Sequence, residues 1–441
     1  MNKNNTNYFE ILSQKLINKS AVIGIFGLGY VGLPLAINFS KNGFRVIGFD
    51  IDLQKVNSIN SGKSYIEQIS DYKIDEANQS GFKASNNFDD IKHLDALIIC
   101  VPTPLKGNYE PDLSYVEDTA EMIVPHLKHG QVISLESTTY PGTTEEILKP
   151  ILTKTGLSIG EDIFLVYSPE REDPGNVHFN TATTPKIISG ITDKCLKVSK
   201  LLYSQVVTEV IPTSSTQTAE FTKLLENIYR AVNIALVNEM KIVADSMNID
   251  IHEVVKAAST KPFGFSAFYP GPGFGGHCIP IDPFYLTWKA KQHGTNTKFI
   301  ELAGKINRKI PFWIIDKLIQ ALRKNKKNIK GANILLLGLA YKKDVGDMRE
   351  SPTFKFLEIL NKLGAKADYS DPFFPTLNKS RHYNFCLKSV DITPKALERY
   401  DGVIIITDHS SFNYDLILKH SKLVIDSRGI IKGNYNNLIK A

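Results

Sequence analysis

The chain has 441 residues, 42% hydrophobic and 22% charged, a composition typical of a folded protein with two or three domains rather than a disordered chain. Its net charge of +6 is small for this length, and its densest basic run, residues 323–330, is typical of an exposed helix end, so we expect no nucleic-acid partner. The first 20 residues lack the apolar core of a signal peptide, and no apolar run is long enough to span a bilayer. We therefore expect a cytoplasmic protein without membrane contact.

Four cysteines are scattered along the chain, at positions 100, 195, 278 and 386. They show neither the CxxC spacing of a zinc site nor the density of a disulfide scaffold, so we expect free thiols. His277 precedes Cys278, but adjacent residues rarely converge on one ion, so we expect no metal.

Segment 21–52 reads as a buried strand, a glycine turn, an amphipathic helix and a second strand. Gly27, Gly29 and Gly32 have the G-x-G-x-x-G spacing, in which the glycines permit a tight turn, close approach of a pyrophosphate and close helix packing. Asp50 ends the second strand, where a carboxylate hydrogen-bonds the adenosine ribose. The unit predicts a dinucleotide site, and Asp50 favours NAD over NADP because it repels a 2′-phosphate.

Three further strands are predicted in segments 96–104, 131–144 and 163–173, and each ends in polar loop residues. In an open parallel sheet the carboxyl ends of the strands line the ligand crevice, although Ser and Thr there equally well cap the following helices. The candidate site residues in this position are Thr103, Ser137, Thr138 and Glu170.

From residue 214 to 248 the pattern predicts one long helix that is apolar on most faces. Lys223, Asn227 and Arg230 fall at i, i+4 and i+7 and therefore share a face. They form either a solvated stripe or a polar stripe that faces a cleft, and a buried lysine needs a partner.

Segment 332–373 repeats the plan of the first unit, with "GLAY" where the first has "GLGY". Ala340 replaces the second glycine and weakens close approach to a pyrophosphate, so we expect this second Rossmann-like half to bind something other than the dinucleotide. Lys342 after the turn and Arg428 at a later strand end favour an anionic ligand.

Cys278 lies in "FYPGPGFGGHCIPIDPF", residues 268–284, a stretch too polar and glycine-rich for a protein core. This setting favours a functional thiol over a structural one, and a neighbouring ammonium such as Lys223 would raise the thiolate fraction.

A nucleophilic thiol beside a nicotinamide cofactor indicates oxidation of a primary alcohol to an acid. The thiolate adds to the aldehyde, the thiohemiacetal gives up a hydride, and the thioester is hydrolysed. Asp282 or Glu170 is the candidate base for the hydrolytic water. Lys223 is expected to stabilise the oxyanion, and Asn227 to hold the oxygen by a hydrogen bond.

Four motifs occur in order: "GLGYVGLPLA", "AEFTKLLENIYRAVNIALVNEM", "GPGFGGHCIPID" and "YKKDVGDMRESP". From about residue 20 onward the chain resembles the UDP-glucose/GDP-mannose dehydrogenase family of nucleotide-sugar 6-dehydrogenases. The resemblance implies a UDP-sugar substrate and dimerisation through the long helix, hence a homodimer or higher homo-oligomer. The catalytic residues expected are Cys278, Lys223, Asn227, Asp282 and Glu170. The NAD contacts expected are Gly27, Gly29, Tyr30, Val31, Gly32, Asp50, Lys55, Thr103, Ser137, Thr138 and Arg349. The substrate contacts expected are Tyr269, Gly273, Lys342 and Arg428.

The chain departs from two branches of this family. It lacks the arginine that UDP-glucose enzymes carry shortly before the cysteine loop, and residues 268–271 read "FYPG" where UDP-N-acetylmannosamine-type enzymes have "FRPG". The segments "STKPFGFSAFYPGPGFGGHCIPIDPFYLTWKA" and "SPEREDPGN" instead resemble UDP-N-acetylglucosamine 6-dehydrogenases of bacterial surface-polysaccharide pathways. We therefore expect UDP-N-acetylglucosamine as substrate, with UDP-glucose or UDP-N-acetylmannosamine as alternatives. A non-catalytic sugar-nucleotide sensor and a single-oxidation 2-hydroxy-acid dehydrogenase are disfavoured, because neither needs Cys278.

Together these patterns predict an α/β protein with two Rossmann-like parallel-sheet domains joined by a long central helix and a helical middle domain. The expected boundaries are residues 1–212 for the NAD-binding domain, 213–310 for the central helical dimerisation domain with the cysteine loop, and 311–441 for the UDP-sugar-binding domain.

Overall fold

The computed structural model of the chain describes residues 6–107, 109–171, 181–276, 279–378 and 383–441. The chain divides into two compact units. The first comprises Met1–Glu226 and Phe284–Asn296, and the second comprises Asn227–Pro283 and Thr297–Ala441. The three-part division expected from the sequence stays a prediction.

The first unit is built on an eight-stranded sheet in the order β3-β2-β1-β4-β5-β6-β7-β8. Its strands are β1 (Val22–Phe26), β2 (Arg45–Phe49), β3 (Phe82–Ser85), β4 (Ala96–Ile99), β5 (Gln131–Leu135), β6 (Ile163–Tyr167), β7 (Lys186–Gly190) and β8 (Val210–Pro212). All neighbours are parallel except β6 and β7, which are antiparallel. The strand order reverses between β1 and β4, and ligands of doubly wound sheets bind at this kind of switch point.

Helices cover both faces of this sheet, which explains why strands β4, β5 and β6 are buried at every position and read as continuous apolar runs. The helices are α1 (Tyr8–Ile17), α2 (Gly32–Lys41), α3 (Leu53–Asn60), α4 (Asp71–Gln79), α5 (Ser114–Ile123), α6 (Lys149–Thr153) and α7 (Asp193–Tyr203). The predicted strand–turn–helix–strand unit is therefore confirmed as β1, α2 and β2.

The central part of the chain is helical, as predicted. Its helices are α8 (Thr216–Ser246), α9 (Ile251–Ala258), α10 (Asp282–Gln292) and α11 (Lys298–Lys324). Helix α8 is 31 residues long, and the boundary between the two units falls within it, after residue 226. Helix α11 ends inside the basic run, as the charge pattern predicted.

The second unit contains a five-stranded parallel sheet in the order β10-β9-β13-β14-β15, and a separate antiparallel pair, β11 and β12. Its strands are β9 (Asn333–Leu337), β10 (Lys366–Ser370), β11 (Thr376–Leu377), β12 (Leu387–Lys388), β13 (Gly402–Ile405), β14 (Val424–Asp426) and β15 (Leu438–Lys440). The remaining helices are α12 (Pro352–Lys362), α13 (Pro394–Leu397) and α14 (Tyr414–His420). Strands β9 and β10 flank α12 in sequence, which confirms the predicted second Rossmann-like unit. Nowhere in the described ranges is a helix both long and apolar enough to cross a bilayer.

Candidate active site

The glycine turn after β1 has the geometry that a dinucleotide requires. Gly27 has a φ of +91°, and a Cβ there would lie 2.7 Å from the carbonyl oxygen of Cys100. A Cβ on Gly32 would lie 2.0 Å from the Gly27 carbonyl oxygen, so only glycine lets α2 start here. A Cβ on Gly29 would meet nothing within 4 Å, which leaves the backbone at this position open to a ligand. These residues fit a bound NAD.

Asp50 lies at the end of β2 and is 8% exposed. Its carboxylate accepts hydrogen bonds from the backbone N–H of Leu28 at 3.0 Å and of Asp52 at 3.0 Å. The Nζ of Lys55 donates to the same carboxylate at 3.1 Å. Asp50 is thus fixed against the glycine turn, and Lys55 lies beside it rather than apart from it.

A cavity of about 430 Å³ opens beside this turn. Its lining includes Gly27, Gly29, Asp50, Lys55 and, from the far side, Phe88, Cys100, Tyr115, Asp118 and Met122. The last three belong to α5 and were not among the predicted site residues. The amphipathic pattern of α5 directly after β4 was the signal that could have identified them.

Polar residues at the ends of β4 and β5 hold each other in place. The Thr103 hydroxyl donates to the Thr138 carbonyl at 2.8 Å, and the Ser137 hydroxyl donates to the Val101 carbonyl at 2.7 Å. Three of the predicted NAD contacts are therefore brought together at one edge of the sheet. Tyr30 and Val31, also predicted contacts, are partly buried and pack against the core beside the glycine turn.

Lys223 and Glu170 meet in the first unit. The Nζ of Lys223 lies 3.9 Å from Oε2 of Glu170, and Lys223 is only 5% exposed. The alternative of a solvated stripe on α8 is therefore wrong for Lys223. A buried ammonium beside a carboxylate is an arrangement found at functional sites.

Glu220, one turn before Lys223, anchors α8 to the loop that follows β5. Its carboxylate accepts from the N–H of Gly142 at 2.5 Å, and from the N–H and the hydroxyl of Thr144 at 2.9 and 2.7 Å. Burial raises the pKa of Glu220 to about 7, although the three donors act in the opposite direction. Glu220 was not predicted from the sequence as a site residue.

Asn227 and Asp282 are paired in the second unit. The Asn227 side-chain amide donates to Oδ2 of Asp282 at 2.6 Å, and both residues are at least 96% buried. Asp282 is the first residue of α10. Cys278, the predicted nucleophile, and its neighbour His277 lie outside the described residues.

The segment before the cysteine packs against the second Rossmann-like fold. A Cβ on Gly275 would lie 2.8 Å from Cβ of Tyr341, and the N–H of Gly276 donates to the Arg349 carbonyl at 3.2 Å. A Cβ on Gly271 would lie 2.9 Å from a guanidinium nitrogen of Arg428. The predicted substrate residue Arg428 and the cysteine loop therefore adjoin each other in this unit.

Asn238 on α8 holds this loop, although no sequence pattern predicted such a role. It accepts from the N–H of Gly271 at 3.0 Å and donates to the Asn307 side chain at 2.7 Å. Of the other two predicted substrate residues in the loop, Gly273 has a φ of +121°, and Tyr269 stacks on His252 at 6.3 Å between ring centroids.

Arg428 lies near one buried cation, Lys241, and near the carboxylates of Asp408 and Asp426. Its Nε donates to the Ile406 carbonyl at 2.7 Å, and burial lowers its pKa. Lys241 on α8 donates to the Ser427 carbonyl at 3.1 Å, and burial lowers its pKa to about 7 despite the nearby carboxylate of Asp426. Oδ1 of Asp408 lies 3.9 Å from Nε of Arg428, so carboxylates already offset part of the charge of this guanidinium. The guanidinium itself is a group that binds anionic ligands.

The loop after the second glycine turn is held by two carboxylates. Asp344 lies two residues after Lys342. Its carboxylate accepts hydrogen bonds from the N–H and the hydroxyl of Ser410 at 2.8 and 2.6 Å. Asp347 is 2% exposed and binds the guanidinium of Arg349 through both of its carboxylate oxygens, at 3.0 and 2.7 Å. The predicted contacts Lys342 and Arg349 therefore sit on one fixed loop. In the part of the chain that the structure describes, no group of three or more His, Cys, Asp or Glu could hold a metal ion.

Three family profiles match the chain in order. They are the NAD binding domain of the UDP-glucose/GDP-mannose dehydrogenase family over residues 21–207, its central domain over residues 217–309, and its UDP binding domain over residues 335–433.

Comparison with individual proteins leads to the same family. The chain is 36% identical over 417 residues to UDP-N-acetyl-D-mannosamine dehydrogenase of Pyrococcus horikoshii, covering 93% of this chain and 96% of the relative. It is 35% identical over 399 residues to UDP-N-acetyl-D-glucosamine 6-dehydrogenase of Pseudomonas aeruginosa, covering 89% and 92%. The fold matches a solved structure of UDP-D-ManNAc dehydrogenase from Pyrococcus horikoshii with a TM-score of 0.86 and 35% identity, covering 95% and 98%. The chain therefore belongs to the UDP-glucose/GDP-mannose dehydrogenase family and is an NAD-dependent nucleotide-sugar dehydrogenase.

Proposed function

We propose that this enzyme oxidises the C6 hydroxymethyl group of UDP-N-acetylglucosamine to a carboxylate, for synthesis of a surface polysaccharide. The observation that carries the proposal is the burial of Lys223 and Asn227 on α8, each beside an acidic residue. Aldehyde and thioester chemistry can use a buried lysine, a buried amide and two carboxylates. Removing such groups from water costs folding free energy, which a catalytic function would explain.

NAD, when bound, would supply the hydride acceptor for both oxidations, with one NAD molecule used for the alcohol and a second for the thiohemiacetal. The thiolate of Cys278 adds to the aldehyde carbon, and the resulting thioester carbon is attacked by water, which releases the acid and restores the thiol. Lys223 stabilises the oxyanion, and Asn227 donates a hydrogen bond to the same oxygen. Glu170 or Asp282 removes the proton from the attacking water.

The residues of the first unit proposed to hold NAD are those around the glycine turn and the strand ends. Gly27, Gly29, Gly32, Tyr30 and Val31 supply the turn, and Asp50 binds the adenosine ribose. Lys55, Thr103, Ser137 and Thr138 supply the remaining contacts in this unit. Arg349, the other residue expected to contact NAD, belongs to the second unit.

The UDP moiety is assigned to the second unit, where Lys342 and Arg428 pair with its phosphates. The adjoining loop carries Tyr269 and Gly273 and lines the sugar. An aromatic residue at position 269 suits the methyl of a 2-acetamido group, and its 53% exposure leaves it available for contact.

UDP-N-acetylmannosamine is the second candidate substrate, and a specific observation favours it. The relative with 36% identity carries that name, while the relative with 35% identity is named for the glucosamine substrate. Our preference for UDP-N-acetylglucosamine rests on Tyr269, because the mannosamine-type enzymes carry arginine at this position.

A panel of UDP-sugars tests the assignment. We expect kcat/KM for UDP-N-acetylglucosamine to exceed that for UDP-glucose by up to about 10⁴-fold, because a site that hydrogen-bonds the amide leaves buried groups unpaired when the amide is missing. UDP-N-acetylmannosamine should also be much poorer. A higher kcat/KM for either competitor contradicts the substrate assignment and leaves the cysteine mechanism standing.

The enzyme is further proposed to be a homodimer formed through α8. One face of this helix carries a stripe of large apolar side chains that are between 38% and 62% exposed. The stripe consists of Phe221, Leu225, Tyr229, Leu236, Met240 and Val243 on α8, and it continues to Met247 in the turn directly after the helix. Their spacing of three, four or seven residues places them on one side of the helix, which suits a second copy of the same helix.

A further inference from the structure

A buried ion pair lies beneath Glu170 in the first unit. The Nζ of Lys186, at the start of β7, lies 2.6 Å from Oε2 of Glu136, the residue that follows β5. Their side chains are 8% and 0% exposed. Neither residue was predicted from the sequence, and the proposed chemistry does not use either of them.

The pair is connected to Glu170 through the backbone. Lys186 also donates to the carbonyl of Pro169 at 3.3 Å, and Pro169 immediately precedes Glu170. Lys186 and Glu170 line the same cavity of about 20 Å³, which is large enough for one water. Lys186 therefore bridges the end of β5 and the loop that carries Glu170.

Other charged and titratable groups of the first unit face the same region. Lys223 on α8 lies 3.9 Å from Glu170, and Arg171 is neutralised by Glu226 at 2.6 Å. Burial raises the pKa of Cys100, at the end of β4; Glu136 and Glu170 add to the rise, and Lys186 opposes it. The ammonium of Lys186 lies 4.9 Å from the ring centroid of Tyr203 on α7, whose pKa is raised by burial and by Glu136.

We propose that Glu136 and Lys186 are positioning residues for Glu170: Lys186 fixes the Pro169–Glu170 loop, and Glu136 offsets the charge of Lys186. This inference deepens the proposed function and rests on Glu170 acting as a base in thioester hydrolysis. A buried pair is costly to assemble, since each charge leaves water, so its placement beside a reacting carboxylate has a functional explanation that packing alone lacks.

The proposal predicts opposite effects of the two charges. Lys186→Met removes a positive charge near Glu170 and leaves the negative charge of Glu136, which favours the protonated form of Glu170. The acid limb of the profile of kcat against pH should then move to higher pH by at least about half a pH unit. Glu136→Gln leaves the positive charge alone, so the limb should move to lower pH by a similar amount. The double variant Glu136→Gln/Lys186→Met carries neither charge, and its limb should return toward the wild-type position.

The measurement is kcat and KM for NAD and UDP-N-acetylglucosamine across pH in the full-length enzyme. We expect kcat of the double variant to fall at least about tenfold with KM changed less than about threefold, because the loop loses its anchor while the binding residues remain. Lys186→Arg, which keeps the charge and the donor, should recover part of kcat and leave the limb in place. Breaking one half of a buried pair destabilises the fold, so the double variant and Lys186→Arg keep the test valid if a single variant does not fold.

The matched control is Lys194→Met, which breaks an exposed pair with Glu161 at 2.6 Å in the same unit and should change neither kcat nor the limb. Glu170→Gln separates the two hypotheses. A limb that survives in Glu170→Gln refutes the base role of Glu170, and the positioning proposal falls with it. If the acid limb disappears in Glu170→Gln, the base role stands. The positioning proposal alone is then refuted if the limb moves in neither Lys186→Met nor Glu136→Gln, or if it moves in the same direction in both.

Discussion

At the scale of single residues, Cys278 has the most specific proposed role. We expect Cys278→Ser to bind NAD and the UDP-sugar with nearly unchanged affinity and to lose at least about 10³-fold in acid formation, because serine is a far weaker nucleophile than a thiolate. Acid formation is measured by product analysis, and binding by calorimetry. Cys386→Ser, which changes an exposed cysteine in the second unit, is the control. Acid production by Cys278→Ser near the wild-type rate would rule out the covalent mechanism.

Asp50 is the residue that should set the choice of cofactor. Asp50→Asn keeps an acceptor for the N–H of Leu28 but removes the charge that repels a 2′-phosphate. The value of kcat/KM for NAD divided by that for NADP should therefore fall at least about tenfold. This change corresponds to about 1.4 kcal/mol of discrimination free energy. Asp52→Asn is the matched control, since the Asp52 side chain caps α3 through the N–H of Gln54. An unchanged ratio in Asp50→Asn would show that Lys55 already neutralises Asp50.

At the scale of elements, Glu220 joins α8 to the loop after β5 and gives this contact a pH dependence. Its pKa is about 7 in the folded protein and 4.5 in the reference state, so the folded protein binds the proton more tightly. The stability that this group contributes is fully present below pH 4.5 and is lost as pH rises through about 7, by up to about 3 kcal/mol.

This pH dependence can be measured by thermal unfolding between pH 5 and 8. Wild-type Tm should fall with rising pH more steeply than that of Glu220→Gln, which cannot titrate. Glu161→Gln, at an exposed carboxylate, should retain the wild-type slope. Equal slopes in wild type and Glu220→Gln would mean that Glu220 is ionised throughout this range.

Helix α8 is also the element that should hold two subunits together. The double substitution Leu225→Glu/Leu236→Glu places two charges in the exposed apolar stripe and should convert the dimer to a monomer in light scattering coupled to size exclusion. Tyr72→Glu, at a residue of α4 that is 73% exposed, should remain dimeric. A dimer that survives the double substitution must use another surface.

The elements that could be predicted from the sequence are those whose signal is local. The glycine turn, the strands around it and the long helix were predicted because glycine spacing and apolar periodicity are visible within short windows. Strand β7 was not predicted, and neither was its antiparallel pairing with β6, because pairing depends on contacts between distant segments.

The same limit applies to the candidate site. Lys223, Asn227 and Asp282 were identified from their motifs. In the structure, Asn227 donates a hydrogen bond to Asp282. Glu136 and Lys186 were missed because their pairing joins positions 50 residues apart. Asn238 was missed because its acceptor role toward Gly271 exists only once α8 and the loop are packed together.

At the scale of the whole molecule, the two compact units divide the proposed work. The first contains the glycine turn that fits NAD and the Lys223–Glu170 pair. The second contains the Asn227–Asp282 pair and Arg428, the residue proposed to bind the UDP phosphates. A sugar-nucleotide sensor would need only the second of these ligand regions. The presence of both, within a family of NAD-dependent dehydrogenases, favours an enzyme that binds both ligands.

We propose that this enzyme carries UDP-N-acetylglucosamine through two successive oxidations. The most direct test is the molar ratio of NADH formed to UDP-N-acetylglucosamine consumed, with NAD in excess and the reaction followed to completion. We expect two NADH for each sugar nucleotide consumed, with the uronic acid as the product. One NADH for each sugar nucleotide, with an aldehyde as the product, would contradict it.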